Sequence, residues 1–306
     1  MALDRGPAHR IGYLFSSPQS AVAPMVAAFE RSITARGHVL GKTLLIDYRF
    51  GVASVEALRK SALELSEAND ILVTSGTVVA IAAKDAGVKR PVVFVSVGFP
   101  VALGLAESLR RPGANFTGIS FEAADDTYGK RLQMLKEIVP GLRLVAALGD
   151  GHDRNIQPSL ETLHRLAPGL AIDMVDFRFN DESELPTAFA SMAARKVDGV
   201  VVIAGALTYQ SGSRLADLSL QYRLPTVHGF KQAVGSGGLV SLGPDLIAMA
   251  DQAAQVVDAI LRGASPAELP VQQPTRYEVG INLTTAKRLG LSVPPSLRLR
   301  ADLLVQ

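Results

Sequence analysis

The length, composition and charge of the chain exclude several classes of protein. With 306 residues the chain is long for one domain and suits two lobes, and its 48% apolar and 20% charged residues argue against disorder. A net charge of +2, without clustered lysine or arginine, predicts no nucleic-acid partner, and the lack of cysteine excludes disulfides, thiolate metal sites and cysteine nucleophiles.

Short aliphatic strands alternate with amphipathic helices through the first hundred residues. The pattern predicts strands at 10–15, 43–50, 70–74 and 91–95, and helices at 22–36, 55–68 and 78–86. Strands separated by helices of this length are typical of βαβ units, so we expect a mostly parallel sheet.

The same alternation begins again after Pro112-Gly113. The predicted elements are an extended crossing segment at 115–120, strands at 143–148, 172–177, 199–204, 225–228 and 239–242, and helices at 125–139, 156–167, 184–194, 214–222, 230–234, 246–261 and 284–289. Residues 270–283 are predicted to be extended, and a Pro-rich tail ends the chain. This repetition predicts two doubly wound α/β lobes joined by three hinge crossings, with lobe 1 at 9–119 plus 244–274 and lobe 2 at 120–243 plus 275–306.

Polar residues and glycines follow the predicted strands, at the edge where open parallel sheets bind ligands. Ser75-Gly76-Thr77 opens directly into a helix, so its hydroxyls and free N–H groups suit a carboxylate. An alternative is that Ser75 or Thr77, like Ser16 or Ser17, only caps its own helix. The other candidates at strand ends are Gln19, Val97, Gly98, Phe99, Pro100, Asp150, Ala204, Tyr209, His228, Gly229 and Phe230.

Several of these candidates have a structural alternative. Phe99 and Phe230 either line a ligand cleft or pack in a core. His228 is either a cleft residue or a hydrogen-bonded structural histidine. His152, with Asp150 and a second acid, forms either a metal or acid–base cluster or, as we favour, a solvated turn.

No catalytic motif is present in the sequence. We find no G-x-S-x-G turn, P-loop or dinucleotide fingerprint, and the five histidines lack metal-ligand spacing. We therefore expect no catalytic residues, no metal, no cofactor and no enzyme activity.

Seven stretches along the chain resemble one known family. They are residues 35–49, I-L-V-T-S-G-T at 71–77, P-V-V-F-V-S-V-G-F-P-V at 91–101, and residues 109–120, 129–140, 228–245 and 269–297. These resemble the substrate-binding proteins of ABC importers, in the family that includes tryptophan- and tyrosine-type binders. The resemblance implies a type I periplasmic-binding-protein fold, with a small-molecule ligand held between two lobes, export to the periplasm, an ABC permease as partner and a monomeric state.

The resemblance also assigns roles to individual residues. Matched positions imply a polar corner at Ser75, Gly76 and Thr77, a second cleft loop at Gly98 and Pro100, a crossing at Ser120 with Phe121 beside it, and a far side at Gly229, Phe230 and Asp245. Because residues 1–10 have no hydrophobic signal-peptide core, export implies that a leader is trimmed from the chain shown.

The chain departs from the family pattern where an amino-acid ammonium would be paired. Phe99 stands where an acidic residue is common, Leu242 stands where an aromatic hydroxyl is common, residues 149–154 lack the usual Asn-Pro-Gly, and residues 204–208 lack the usual acid. We therefore expect a carboxylate with an aromatic or apolar body rather than an α-amino acid.

Three other functions are weighed against this expectation. They are an aromatic or branched amino-acid binder of the same class, a ligand-sensing domain feeding a receptor, and an enzyme of the same fold class. The core of a transcription regulator is disfavoured, because the first strand begins near residue 10 and leaves no room for a helix-turn-helix.

Overall fold

Residues 8–122 and 126–306 are described by a computed structural model, in which they form two α/β units. Unit 1 ends at Glu122 and resumes over Asp245–Thr275, and unit 2 ends at Pro244 and resumes over Arg276–Gln306. The chain therefore passes between the units three times. The sequence places the corresponding boundaries at 119, 243 and 274, and its predicted helix start at 125 lies outside the described residues.

Unit 1 is built on a five-stranded parallel sheet, here called sheet A, with the order β2-β1-β3-β4-β5. Its strands are β1 (His9–Phe15), β2 (Leu44–Arg49), β3 (Ile71–Ser75), β4 (Val92–Val97) and β5 (Phe116–Ser120). Its helices are α1 (Gln19–Ala35), α2 (Val55–Ala68), α3 (Thr77–Asp85) and α10 (Leu246–Leu261). Helix α1 packs against α10, and α2 against α3.

Strand β5 corrects one prediction. The sequence suggests a crossing segment at 115–120, whereas Phe116–Ser120 is an edge strand in register with β4. Gly118 permits this pairing, because its φ is 151° and a Cβ atom there would lie 1.9 Å from Phe94 O.

Unit 2 is built on a seven-stranded sheet, sheet B, with the order β12-β11-β10-β9-β8-β6-β7. Its strands are β6 (Leu144–Asp150), β7 (Asp173–Phe179), β8 (Gly199–Val202), β9 (Thr226–His228), β10 (Val240–Pro244), β11 (Tyr277–Asn282) and β12 (Leu303–Val305). Its helices are α4 (Asp126–Ile138), α5 (Ile156–Leu166), α6 (Leu185–Ala194), α7 (Ala206–Gln210), α8 (Gly212–Tyr222), α9 (Lys231–Gly235), α11 (Leu283–Leu289) and α12 (Pro295–Arg298), with 3-10 turns at Ala167–Leu170 and Glu182–Glu184.

Unit 2 contains short helices and a strand that the sequence pattern does not predict. Helices α7 and α12 and strand β12 are absent from the predicted series, and β8 ends at Val202 rather than at residue 204. Only Tyr277–Asn282 of the predicted extended segment 270–283 is a strand, and β11 pairs antiparallel with β10. These short pieces have too few residues to show a period.

Each sheet has its own buried core. Leu14, Leu72 and Phe94 belong to the core cluster of unit 1, and Leu148 and Phe189 to that of unit 2. The strand order places a change of winding direction between β1 and β3 in sheet A, and between β6 and β8 in sheet B, which is where open sheets bind ligands. In the described part of the chain, every helix is too short or too polar to cross a bilayer.

Candidate functional site

The loops at the carboxyl ends of the sheet A strands (residues 16–19, 75–77 and 97–100) are here called edge A. Two hydrogen bonds hold the loop after β3. The Gly98 N–H donates to Thr77 Oγ1 at 3.2 Å, and the Gly76 N–H donates to Val95 O at 2.8 Å. The loops after β3 and β4 are thus joined, as strand adjacency requires.

Gly76 leaves an open corner at the start of α3. It is the N-cap residue with φ 89°, and no atom outside its own neighbours lies within 4 Å of a Cβ atom built there. The N-cap residues themselves, Gly76 of α3 and Pro18 of α1, make no side-chain capping hydrogen bond. The Thr77 hydroxyl accepts from the Gly98 N–H of the neighbouring loop, so it joins two loops.

The loop after β4 has a strained backbone. Ser96 and Phe99 are non-glycine residues with φ of 62° and 48°, and the register with β5 shifts between Val95 and Val97. Conformations of this kind cost free energy and cluster at ligand sites. Val97, Gly98 and Pro100 are buried and Phe99 is half-buried, so the loop is packed around the strained positions.

The remaining candidates of unit 1 differ in their exposure and in their hydrogen-bond partners. Ser16 is half-buried, Gln19 is exposed, and Ser17 is buried, with its carbonyl accepting from the Gly51 N–H at 2.8 Å. The Ser120 hydroxyl is engaged within unit 1, 3.1 Å from Glu122 O, and Phe121 beside it is buried. Asp245 caps α10, because its Oδ1 accepts from the N–H groups of the first turn.

The loops at the carboxyl ends of the sheet B strands (residues 150–155, 203–209 and 228–230) are here called edge B. Two carboxyl groups are buried there. Asp150 Oδ1 accepts from the His152 N–H at 2.8 Å, and Asp153 Oδ1 accepts from the Asn155 N–H at 2.9 Å. Burial raises the pKa of Asp150, and it raises that of Asp153, only 4% exposed, to about 7.

Among the described residues, no group of three potential metal ligands is found at this acidic turn. His152 is exposed, and its Nδ1 lies 3.9 Å from Asp150 Oδ1. The solvated-turn interpretation suits His152, but it does not suit the two buried carboxyls.

An aromatic pair forms the second part of edge B. Tyr209, on α7, and Phe230, after β9, have ring centroids 5.0 Å apart at an interplanar angle of 82°. Phe230 is 9% exposed, and burial raises the pKa of Tyr209. The structure therefore brings Tyr209, on α7 after β8, into contact with Phe230, which follows β9. The candidates Ala204 and Gly229 lie side by side in the same two segments.

His228 has the arrangement of a structural histidine. It is 2% exposed, and its Nε2 lies 2.9 Å from Thr226 Oγ1 on the same strand. Burial lowers its pKa to about 4, so the imidazole is neutral near pH 7.

Sequence reasoning missed two buried polar residues near edge B. Arg131, fully buried on α4, and Asn155, 3% exposed, were not among the candidates. Tyr128, Arg131, Leu132 and Leu135 follow the i, i+3, i+4, i+7 spacing of one helix face, so a cation within an apolar stripe is the signal for Arg131. No comparable pattern marks Asn155.

Comparison with known proteins places this arrangement in a family. The sequence profile described as "ABC transporter substrate binding protein" matches residues 19–305. The chain belongs to this family of ABC transporter substrate-binding proteins. Its fold is the type I periplasmic-binding-protein fold, as the resemblance implied.

Three relatives of this substrate-binding protein carry ligand names. It is 24% identical over 264 residues to "Tyrosine-binding protein" of Clostridioides difficile, covering 86% of this chain and 75% of the relative. It is 20% identical to an ABC domain from Streptococcus pneumonia in complex with L-Trp, with a TM-score of 0.90 over 98% of this chain and 100% of that one. A benzoate complex of a solute-binding protein from R. palustris has 16% identity and a TM-score of 0.59, over 96% of this chain and 85% of that one.

Proposed function

We propose that this protein is the extracytoplasmic, periplasmic solute-binding component of an ABC importer, and that it binds a small carboxylate with an aromatic or apolar body between its two lobes. It delivers the ligand to an ABC permease, acts as a monomer and catalyses no reaction. The observation that carries the proposal is the uncharged, open corner at Gly76, where the loops after β3 and β4 are joined at the start of α3.

The carboxylate half of the ligand is argued from edge A. The first N–H groups of an α-helix have no intrahelical acceptor, and the helix dipole favours a negative charge beside them. The residues of edge A carry no ionisable side chain, so a carboxylate there meets hydroxyl and N–H donors without a competing anion.

The aromatic half is argued from edge B. Tyr209 and Phe230 already form an edge-to-face pair, and aromatic rings add a third ring in the same geometry with a gain of about 1 kcal/mol beyond burial. The names of the relatives point the same way, because tyrosine, tryptophan and benzoate are all aromatic carboxylates.

An amino-acid ligand is the second candidate, and one observation favours it. Asp150 and Asp153 are buried at edge B, and in the part of the chain that the structure describes neither forms an ion pair with lysine or arginine. An ammonium group would be a suitable partner for these carboxyls. The missing acid at residues 204–208 therefore does not by itself exclude an amino acid.

The residues proposed to contact the ligand are the sequence candidates. They are Ser16, Ser17, Gln19, Ser75, Gly76, Thr77, Val97, Gly98, Phe99, Pro100, Ser120, Phe121, Asp150, Ala204, Tyr209, His228, Gly229, Phe230 and Asp245. The strongest support is for Gly76, Thr77, Gly98, Tyr209 and Phe230, whose contacts join separate strand-end loops.

A thermal-shift screen tests the proposal. Aromatic carboxylates, the uncharged amides of these carboxylates, and aromatic amino acids are each added to the protein at millimolar concentration. A ligand at about 100 times its Kd stabilises the folded state by about 2.7 kcal/mol, so a binder raises the melting temperature by several degrees. We expect the acids to raise it and the amides to leave it unchanged. Equal shifts with acids and amides, or no shift with any carboxylate, would refute the proposed ligand class.

A further inference from the structure

Arg131 on α4 is a fully buried cation beneath edge B. Its Nε donates to Leu242 O at 2.8 Å, and its guanidinium carbon lies 4.9 Å from the centroid of the Tyr128 ring. A buried ionic group contributes little net stability compared with apolar side chains of similar volume. A guanidinium at this position therefore points to a role other than stability alone.

The guanidinium supports the loop that carries Phe230. A Cβ atom built on Gly229 would lie 3.3 Å from Arg131 Nη2 and 3.5 Å from its Cζ, so the guanidinium occupies the space that a side chain at residue 229 would need. The hydrogen bond to Leu242 fixes the same guanidinium to the end of β10. Arg131 thus spans the end of β10 and the loop after β9.

Tyr128, one turn earlier on α4, reaches the other strand ends. Its hydroxyl donates to Ser159 Oγ at 2.8 Å, and Ser159 Oγ donates to Asn155 O at 2.7 Å. Asn155 Nδ2 in turn donates to Ala204 O at 3.3 Å. Side chains of a single helix therefore connect to the loops after β6, β8 and β9 and to β10.

We propose that Arg131 is a positioning residue of the ligand site, whose guanidinium fixes Gly229 and Phe230 against the end of β10 and so sets where the Phe230 ring meets the ligand. The link to the ligand rests on the proposed function. The fixing of the loop does not, because the hydrogen bond of Arg131 to Leu242 and its place beside Gly229 do not involve a ligand. The rigid, planar guanidinium of arginine can hydrogen-bond Leu242 and fill the space beside Gly229 together, whereas the flexible ammonium of lysine has no such plane.

Hydrogen exchange in the ligand-free protein tests the positioning directly. Backbone amide exchange is measured in the segment 226–234 for the wild type, Arg131→Gln, Arg131→Lys and the control Phe189→Leu. Phe189 is fully buried in the core of unit 2, so its replacement lowers stability without touching Arg131. We expect exchange in this segment to be about tenfold faster in Arg131→Gln, intermediate in Arg131→Lys and close to wild type in Phe189→Leu.

The ligand readout uses two probes, L-tyrosine and 3-phenylpropanoate. For the probe that the wild type binds, Kd should rise about tenfold in Arg131→Gln and less in Arg131→Lys, while Phe189→Leu with a comparable loss of melting temperature keeps its Kd. A role in stability alone would raise Kd equally in both destabilised variants.

Each outcome decides a separate point. Unchanged exchange in Arg131→Gln, or exchange no faster than in Phe189→Leu, overturns the positioning role. Faster exchange with an unchanged Kd overturns its link to the ligand. If the wild type binds neither probe, the proposed ligand class fails while the exchange data still judge Arg131. If Arg131→Gln does not fold, the comparison of Arg131→Lys with Phe189→Leu decides in the same way.

Discussion

Edge A and edge B occupy equivalent ends of two α/β sheets, yet they differ in charge and in composition. Edge A consists of hydroxyl, glycine, amide and apolar residues and has no ionisable side chain. Edge B has two buried carboxyls, an aromatic pair and a buried guanidinium beneath it. The two sheets therefore offer different groups at the same end, backbone N–H groups at edge A and charged and aromatic side chains at edge B.

This difference has a physical cause. In sheet A, α3 begins within one residue of the end of β3, so its first N–H groups are themselves the polar surface. In sheet B, a longer turn separates β6 from α5, and side chains such as Asp153 fill it. Substitutions at the two edges should therefore act through different physical effects.

The largest expected effect concerns the pH dependence contributed by Asp153. Its pKa of about 7 in the folded chain means that folding retains a proton that the unfolded chain releases above pH 4. The contribution of this carboxyl to the free energy of unfolding therefore falls as pH rises from about 4 to 7. His228, with its pKa lowered to about 4, acts in the opposite direction up to pH 6.5, so the measurement must be a difference between variants.

Denaturant unfolding of the wild type and Asp153→Asn from pH 4 to 8 measures this difference. The stability of the wild type relative to Asp153→Asn should fall by up to about 4 kcal/mol across the range. Asp217→Asn, at an exposed site on α8, is the control and should track the wild type. Parallel profiles for the wild type and Asp153→Asn would show that the pKa of Asp153 is the same in the folded and unfolded chains, which would contradict its burial at edge B.

Gly243→Ala should disrupt edge B next most strongly. A Cβ atom at Gly243 would lie 1.7 Å from Gly229 O, so the loop after β9 must move. We expect the free energy of unfolding to fall by about 3 kcal/mol. Gly235→Ala, where no atom lies within 4 Å, is the matched control. A loss of less than 1 kcal/mol in urea unfolding would show that the loop shifts easily.

Thr77→Val tests edge A with a smaller effect. Valine keeps the shape of threonine but leaves the buried Gly98 N–H without its acceptor, so we expect a loss of about 1–2 kcal/mol. Calorimetric Kd values for an aromatic acid should also rise about tenfold. Thr187→Val, on the exposed face of α6, should change neither quantity. An unchanged Kd in Thr77→Val would remove the loop junction from the ligand site.

Phe230→Leu should have the smallest effect on ligand affinity, and it tests whether the aromatic pair recognises an aromatic ring. Leucine preserves most of the apolar volume but removes the edge-to-face contact with Tyr209, which is worth about 1 kcal/mol. Kd should rise about fivefold for an aromatic acid and little for an aliphatic acid of similar size. An equal rise for both acids would mean that Phe230 supplies only apolar surface.

The sequence predicted the repeated α/β pattern because long periodic segments such as α2 and α10 repeat the apolar spacing of one helix face. It also located the strand-end loops, since Ser75-Gly76-Thr77 directly follows a buried strand. It did not predict α7 or β12, which are too short to show a period. It missed the partnership of Tyr209 with Phe230, because only the fold brings residues of different loops together.

The burial of Asp153 at edge B is not indicated by the sequence. Aspartate is usually exposed, and only the fold shows that burial raises the pKa of this carboxyl. The expectation of a non-amino-acid ligand is based on four departures from the family pattern, at Phe99, at Leu242, at residues 149–154 and at residues 204–208. The buried carboxyls at Asp150 and Asp153 supply anionic groups at a neighbouring strand end, which no local pattern indicates.

The most direct test of the central claim is isothermal titration calorimetry with 3-phenylpropanoate and its amide, which have the same shape and differ in charge. An anion held by the N–H groups of edge A predicts a measurable Kd for the acid and binding at least tenfold weaker for the amide, with the difference reduced in Gly76→Ala. Equal affinity for the two compounds, or tight binding of the amide alone, would contradict the account.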